Sequence, residues 1–414
     1  VHIAVLSDPA NFHTQKWSLA LQGAGAEVTI FSFSDYEYDQ VPCVKIQPRY
    51  TVKGRVTYAS YLYSADRLHK ALLKHRVDIV NPINITPFGV WAARTGFRPM
   101  ASIAMGADVL EYPPNRAETG IPYERSWSSV EDPGLLKQAV SSFKWYVFRH
   151  QVQDALNKSD FIIGDNLQLV QAVKEWFGIP AHKVSLNRWG IEEELFETSE
   201  ARLNALREKF GIRPWQKVVL APRGVKPVYQ GDIVLQAYER LLRRGVRDLK
   251  LMLFSAGYDI PEKLDKRARA LEAHFPNFYL ERSQLPRTEV LELWSLVDVC
   301  ISAPVYDGYS NALSEARYMG VVPIVNAIPA NLELIEHLKN GWVVDPFTPE
   351  HLADAILAVT EKLDHYKQAF GPVNRDWILL NAHLQTNVRR FVRDCKKVVQ
   401  QYRRKKGTGM LAGQ

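Results

Sequence analysis

The sequence predicts an α/β protein made of two doubly wound, Rossmann-like halves. Three observations point there. Short apolar runs of strand length alternate with longer amphipathic stretches, the pattern of parallel sheets covered by helices on both faces. The alternation begins at Val1–Leu6 and restarts at Lys217–Ala221, so it comes in two runs of similar length. The chain has 414 residues, enough for two domains of ordinary size.

In the first run, Val1–Leu6 and Val28–Phe31 read as strands around a helix that holds Trp17, Leu19, Ala20 and Leu21 and stops at Gly23-Ala24-Gly25. The intervening turn, Ser7–His13, lacks the G-x-G-x-x-G that lets a dinucleotide approach the backbone, which disfavours a classical NAD or FAD enzyme. Val77–Val80, Met100–Ala104, Phe161–Ile163 and Lys183–Leu186 read as further strands. Between Glu111 and Asp132 the pattern is interrupted for long enough to be a lid or binding loop, or a surface excursion. The helix-like stretch from Leu135 carries Trp145, Tyr146 and Phe148. Such aromatics either pack on the sheet, the commoner fate, or meet a membrane or an acceptor. The second run places strands at Lys217–Ala221, Leu249–Phe254, Val297–Ile301 and Val321–Val325, with the join near Asn187–Ile191.

With 46% apolar and 23% charged residues, this is an ordinary globular composition, which excludes a disordered chain, a collagen or a small disulfide scaffold. Cys43, Cys300 and Cys395 are far apart and lack metal-ligand spacing, which argues for a reducing compartment and against structural zinc. No apolar run approaches the ~18 residues of a membrane span. The opening residues show no signal-peptide pattern, so a cytoplasmic protein is expected. The net charge of +7 is concentrated at one end: from Thr386 onward nine bases face one acid, giving +8, while the rest of the chain sums to −1. A nucleic-acid-binding protein usually spreads its bases over a folded face, so no nucleic acid partner is expected.

Two constellations carry chemistry. The first, Val305–Ala316, follows a strand. Gly308 permits a tight turn, Ser310 and Asn311 suit a helix start, and Ala312–Met319 reads as a helix. The amides and dipole of such a helix start suit a diphosphate. Asp307 in the turn and Glu315 on the helix, eight residues apart, are spaced to reach opposite ends of one ligand, although acids on exposed helices are common. The second constellation, Ala221–Gly231, puts Arg223 and Lys226 just after a strand, at the carboxyl edge where open α/β sheets bind ligands. Cations there would neutralise a diphosphate leaving group, or would simply be solvated loop residues.

These residues resemble the metal-independent, retaining glycosyltransferases of the GT-B fold, in particular the large family 4. The resemblance runs in order along nearly the whole chain. Asp307–Glu315 is similar to the family's acid-x7-acid element, followed by Ala316, Gly320, Pro323 and Ile324. Asn331–Ile335 with Asn340-Gly341 resembles its next helix and turn, and Trp189-Gly190-Ile191 with Leu195-Phe196 its interdomain segment. Met105–Leu110 resembles its first-domain His/Trp-Gly-Ser-Asp-Val element. The resemblance implies a nucleotide diphosphate sugar as substrate, UDP- or GDP-linked, with no cofactor and no metal ion. Glu315 would bind the ribose hydroxyls and Asp307 the donor sugar. Backbone amides at Gly308, Tyr309, Ser310 and Asn311 would hold sugar and diphosphate, and Arg223 would stabilise the departing diphosphate. His13, Gly106 and Asp108 would lie on the acceptor side.

The chain departs from that pattern in three places. The first acid is Asp307 rather than Glu, one methylene shorter. Where the family carries a phosphate-binding Lys, this chain has Val228 and Gln230, and Lys226 is nearby but out of register. Met105 stands where the family often has His; His13 takes over that role, caps its helix or lies at the surface. Asp108 either faces the acceptor or caps a turn. Two rival functions remain: a GT-B sugar-nucleotide epimerase or hydrolase, and a non-catalytic module that binds nucleotide sugar.

The domains expected are residues 1–188 on the acceptor side, 189–370 on the donor side, crossover helices over 371–406, and a disordered tail over 407–414. In the crossover, Val388, Phe391, Val392, Cys395, Val398, Val399 and Tyr402 recur at helical spacing and are expected to dock on the first domain. The opposite basic face, ending in Arg403–Lys406, is either solvated or faces an anionic membrane as a peripheral partner.

Overall fold

A computed structural model describes residues 1–114, 134–192 and 196–408. Of the interruption expected at Glu111–Asp132, residues 115–132 lie outside the described residues, as do Leu195 and the tail from 409. Two compact units are present, divided between Trp189 and Gly190; the chain from Leu384 onward returns to the first.

The strands of the first unit pair in parallel, in two sheets. Its strands are β1 (His2–Leu6), β2 (Glu27–Ser32), β3 (Cys43–Lys45), β4 (Ile79–Pro82), β5 (Ala101–Ala104), β6 (Phe161–Gly164) and β7 (Val184–Leu186). Their spatial order is 3-2-1-4 in one sheet and 5-6-7 in another. Single bridges, Val80 to Met100 and Ile83 to Ile103, join β4 to β5. β1 is buried along its whole length because helices cover both faces, which is why it reads as an unbroken apolar run. The helix Phe12–Gly23 begins at Asn11, whose side chain accepts from the His13 amide, so of the three readings open for His13 the cap falls to Asn11 instead. The His13 ring instead sits 5.8 Å from that of Trp189.

The carboxyl-terminal helix Leu384–Gly407 packs on Phe12–Gly23. Val388, Phe391, Val392, Cys395 and Val399 are buried, and Phe391 lies 5.2 Å from Trp17, itself an edge-on neighbour of Trp189. Trp17 also donates its indole N–H to Asn81 Oδ1 at 2.9 Å, so its polar atom is satisfied within the core. The crossover boundary expected at 371 is corrected: that position lies inside the helix Leu363–Asn381, which belongs to the second unit. Chain direction changes at Ala382-His383, where His383 bridges to Ile191, and a single helix follows. Gly407, placed in the expected tail, is the last residue of that helix.

The second unit holds β8 (Lys217–Ala221), β9 (Leu249–Phe254), β10 (Phe278–Glu281), β11 (Val299–Ser302), β12 (Val322–Asn326) and β13 (Trp342–Val344). All pair in parallel, in the order 10-9-8-11-12-13. Numbered from β8 as one, this is the 3-2-1-4-5-6 order of the doubly wound fold, and the direction of winding reverses between β8 and β11. Val219, Leu251, Leu253, Val299 and Ile324 form its core with Val234, Tyr238 and Ile356 from the covering helices.

The helix Gly134–Lys158 answers the question its aromatics posed by dividing them. Trp145 donates to the Glu111 carbonyl and Phe148 packs 4.7 Å from Tyr58, whereas Phe143 and Tyr146 are exposed.

Candidate active site

The carboxyl ends of β8 and β11 open a crevice lined by Pro222, Arg223, Tyr229, Ser302, Ala303 and Ser310. It lies at the point where the winding reverses, the place such sheets offer to ligands. The loops that follow the two strands are tied together. The Val305 amide donates to the Val228 carbonyl at 2.7 Å, and Gln230 Nε2 donates to the Ala303 carbonyl at 3.0 Å. Gly231 begins the helix Gly231–Arg243 so close to the Gly224 carbonyl that a Cβ would stand 1.3 Å from its oxygen. Only glycine allows that approach, and it fixes the path of the loop carrying Arg223 and Lys226.

Arg223 and Asp307 meet across this junction, with Nη1 2.7 Å from Oδ2. The Tyr229 hydroxyl accepts a second bond from the guanidinium, whose carbon lies 4.2 Å from the centre of the Tyr229 ring. Burial pulls the Arg223 pKa down, but the Asp307 carboxylate and Tyr229 outweigh it and hold the group more firmly charged than an ordinary arginine. The Arg223 side chain keeps 32% of its exposure, so the cation is both fixed and reachable. Lys226 lies close by, with Nζ 3.3 Å from the centre of the Tyr258 ring. Burial lowers its pKa, and the neighbouring Arg223 lowers it further against the pull of Asp259. Both cations singled out in the sequence therefore stand at one edge.

The helix Asn311–Tyr318 points its start at the same crevice, for Ser310 and Ala312 both line it. Ser310 is the N-cap, its hydroxyl accepting from the Leu313 amide at 3.3 Å. Gly308 donates its amide to Asp307 Oδ1, which orients that carboxylate from its own turn. Tyr309 is buried.

Glu315 is placed differently from Asp307. Its side chain is 2% exposed, and Arg287 grips it with both terminal nitrogens, one of them 3.0 Å from Oε2. Trp294 Nε1 donates to the same oxygen at 3.1 Å. Both carboxylate oxygens are thus engaged within the protein, and a ribose contact there would need Arg287 to give way or share. Asp307 and Glu315, read from their spacing as reaching opposite ends of one ligand, are thus held separately, one by Arg223 and the other by Arg287 and Trp294.

On the first unit, Asp108 lies on the short helix Ala107–Leu110 after β5. Its carboxylate accepts from the amides of Ile85 at 2.7 Å, Met105 at 3.0 Å and Gly106 at 2.9 Å. Gly106 sits at φ 131°, a backbone region open to glycine and strained for other residues. Of the two readings open for Asp108, the turn cap is the one this geometry matches. Burial pushes its pKa up to about 6 despite the three amides.

Two family models divide the chain between them: Glycosyl transferase 4-like matches residues 2–125, and Glycosyl transferases group 1 matches residues 204–370. The chain belongs to the family-4-like glycosyltransferases. Its fold is that of solved GT-B enzymes. HepE from Anabaena, solved with UDP-glucose, superposes with a TM-score of 0.70 at 15% identity, covering 96% of this chain and 99% of that one. Sucrose-phosphate synthase from Thermosynechococcus elongatus gives 0.74 at 13% identity, over 97% and 99%. A glycosyltransferase from Rickettsia africae gives 0.70 at 15% identity, over 96% and 98%. A search of curated proteins finds no match.

In this glycosyltransferase, sequence reading missed Arg287 and Trp294, which hold Glu315 from the helix and turn ahead of β11, and it gave Tyr229 no role. Among the described residues, no helix is long and apolar enough to cross a membrane, and no cluster of metal-ligating side chains is found.

Proposed function

We propose that this glycosyltransferase moves a hexosyl unit from a UDP- or GDP-linked sugar to an acceptor hydroxyl, with retention at the anomeric carbon and without a metal ion. The observation that carries the reading is the reachable Arg223 cation, held by Asp307 and Tyr229 beside the start of the helix Asn311–Tyr318. A diphosphate seated there would meet a guanidinium, the helix-start amides and the Lys226 ammonium together. As the bond from the anomeric carbon to the diphosphate breaks, negative charge grows on the phosphate oxygen, where Arg223 would stabilise it. The acceptor oxygen bonds to the same face of that carbon and passes its proton to the departing oxygen, so no separate base is required. Asp307, already oriented by Arg223 and the Gly308 amide, would accept from a sugar hydroxyl.

A thermal-shift screen against UDP, GDP, ADP and their sugars tests the donor, because a ligand that binds the folded state raises apparent stability by mass action. A UDP or GDP compound should give the largest shift, and NMR of the product should show the donor's anomeric configuration in the presence of a chelator. Inversion, or a requirement for a divalent ion, would overturn the mechanism. Free sugar or an epimer formed without acceptor would point to a hydrolase or epimerase, and tight binding without turnover to a non-catalytic module.

A further inference from the structure

We propose that the basic face of the carboxyl-terminal helix seats the phosphate-bearing headgroups of an anionic lipid membrane. The helix Leu384–Gly407 runs from the carboxyl edge of the first unit's sheet to its amino edge. Near its start Asn187, just after β7, donates to the Asn387 carbonyl; near its end Arg403 pairs with Asp78, just ahead of β4. Its apolar face is spent on the core, so its outward face is fixed by packing. That face presents Arg389, Arg390, Arg393, Lys396 and Lys397, all exposed, and continues into Arg403–Lys406. Against the turn at Ala24 it forms a groove walled by Arg389, Arg393, Lys396, Lys397 and Gln400, with buried Val392 as its floor. Asp394 is the single acid of the helix, and its 3.3 Å contact with Lys397, together with the Arg403–Asp78 pair, offsets two charges among nine.

A nucleic acid fits this surface less well. A helix that reads duplex DNA must enter the major groove, and this one is held side-on against a sheet. Single strands want aromatic platforms, whereas Tyr402, the one aromatic side chain of the outer half, is half-buried. A flat, docked, cationic strip with no apolar residue free to insert matches headgroup binding at the bilayer surface, which should be electrostatic and salt-sensitive.

The test is co-sedimentation of the full chain with vesicles of phosphatidylglycerol and phosphatidylcholine, compared with phosphatidylcholine alone. Binding to the mixed vesicles only, lost at about 0.5 M salt, is expected. Replacing Arg389, Arg393, Lys396 and Lys397 together by Gln should weaken it roughly a thousandfold while leaving the nucleotide-induced thermal shift intact. A second variant with Arg403–Lys406 changed to Gln should lose part of the affinity and guards against failure of the first to fold. The proposal is overturned if the intact chain ignores anionic vesicles, if both variants bind as it does, or if duplex DNA or single-stranded RNA binds more tightly than the vesicles. None of these outcomes depends on the identity of the sugar donor.

Discussion

Each unit ties two neighbouring strand ends together with an aspartate, buried in the first unit and half-buried in the second, and the two ties are made differently. In the second unit Asp307, after β11, binds the side chain of Arg223, after β8. In the first unit Asp108, after β5, binds the backbone amide of Ile85, after β4. A carboxylate closed by backbone amides has spent its capacity on the fold. One closed by a guanidinium leaves a second charged group, with further donors, at the rim of the crevice. The same sheet architecture thus yields a scaffold edge in one unit and an edge able to answer a diphosphate in the other. That contrast predicts where substitutions should strike chemistry and where stability.

The largest effect is expected at Arg287. Removing one partner of a buried ion pair leaves the other uncompensated and costs about 3–5 kcal/mol. Glu315, 2% exposed, would be left in that position by Arg287→Ala, and Trp294 alone would hold it. Denaturant unfolding should show the loss, and adding Glu315→Gln should recover part of it. If Arg287→Ala unfolds at the wild-type midpoint, the charged interior of the second unit is decorative and the contrast with the first unit fails.

Arg223→Gln probes the rim itself. Loss of one preorganised donor to a developing oxyanion lowers kcat by roughly 10²–10³-fold. Turnover of the donor identified by thermal shift should fall by that factor, with a smaller change in nucleotide affinity measured by calorimetry. Turnover within a few-fold of wild type would move the diphosphate away from this junction.

How much of this could be read beforehand depends on position in the sheet. Strands such as Lys217–Ala221 and Leu249–Phe254 stand where their apolar runs placed them, because both faces are covered. The strands that escaped reading, Cys43–Lys45, Phe278–Glu281 and Trp342–Val344, are all at sheet edges. There the burial is partial and the runs are three or four residues long, too short to stand out from their surroundings. The site follows a similar rule. Arg223, Lys226, Asp307 and Ser310 were legible because strand-end position and helix-start chemistry are local. Arg287 was not, since its only distinction is a partner 28 residues away on another element. Asp108 was legible as a residue but not in role, because three backbone amides leave no trace in the side-chain sequence.

Asp108→Asn is the gentlest way to break the comparison, and its pH dependence makes it the sharpest. An amide can present one acceptor oxygen where the carboxylate presents two, so one of the Ile85, Met105 and Gly106 donors would face an NH₂ group. A buried donor left unpaired costs about 1–3 kcal/mol. The wild-type group titrates near pH 6 when folded, against an ordinary value of about 3.9. Its folded pKa is raised, so between those values the native state binds the extra proton and stability falls as pH rises. The full span corresponds to about 3 kcal/mol, present below pH 4 and lost by the time pH has passed 6. The asparagine variant does not titrate, so its deficit relative to wild type should be greatest near pH 4 and shrink toward pH 7. Urea melts of both proteins at pH 4.5, 5.5 and 7 measure this directly. Parallel stability curves would mean that Asp108 is ionised throughout. The three amides would then outweigh burial, and the tie of the first unit would be a charged one like that of the second.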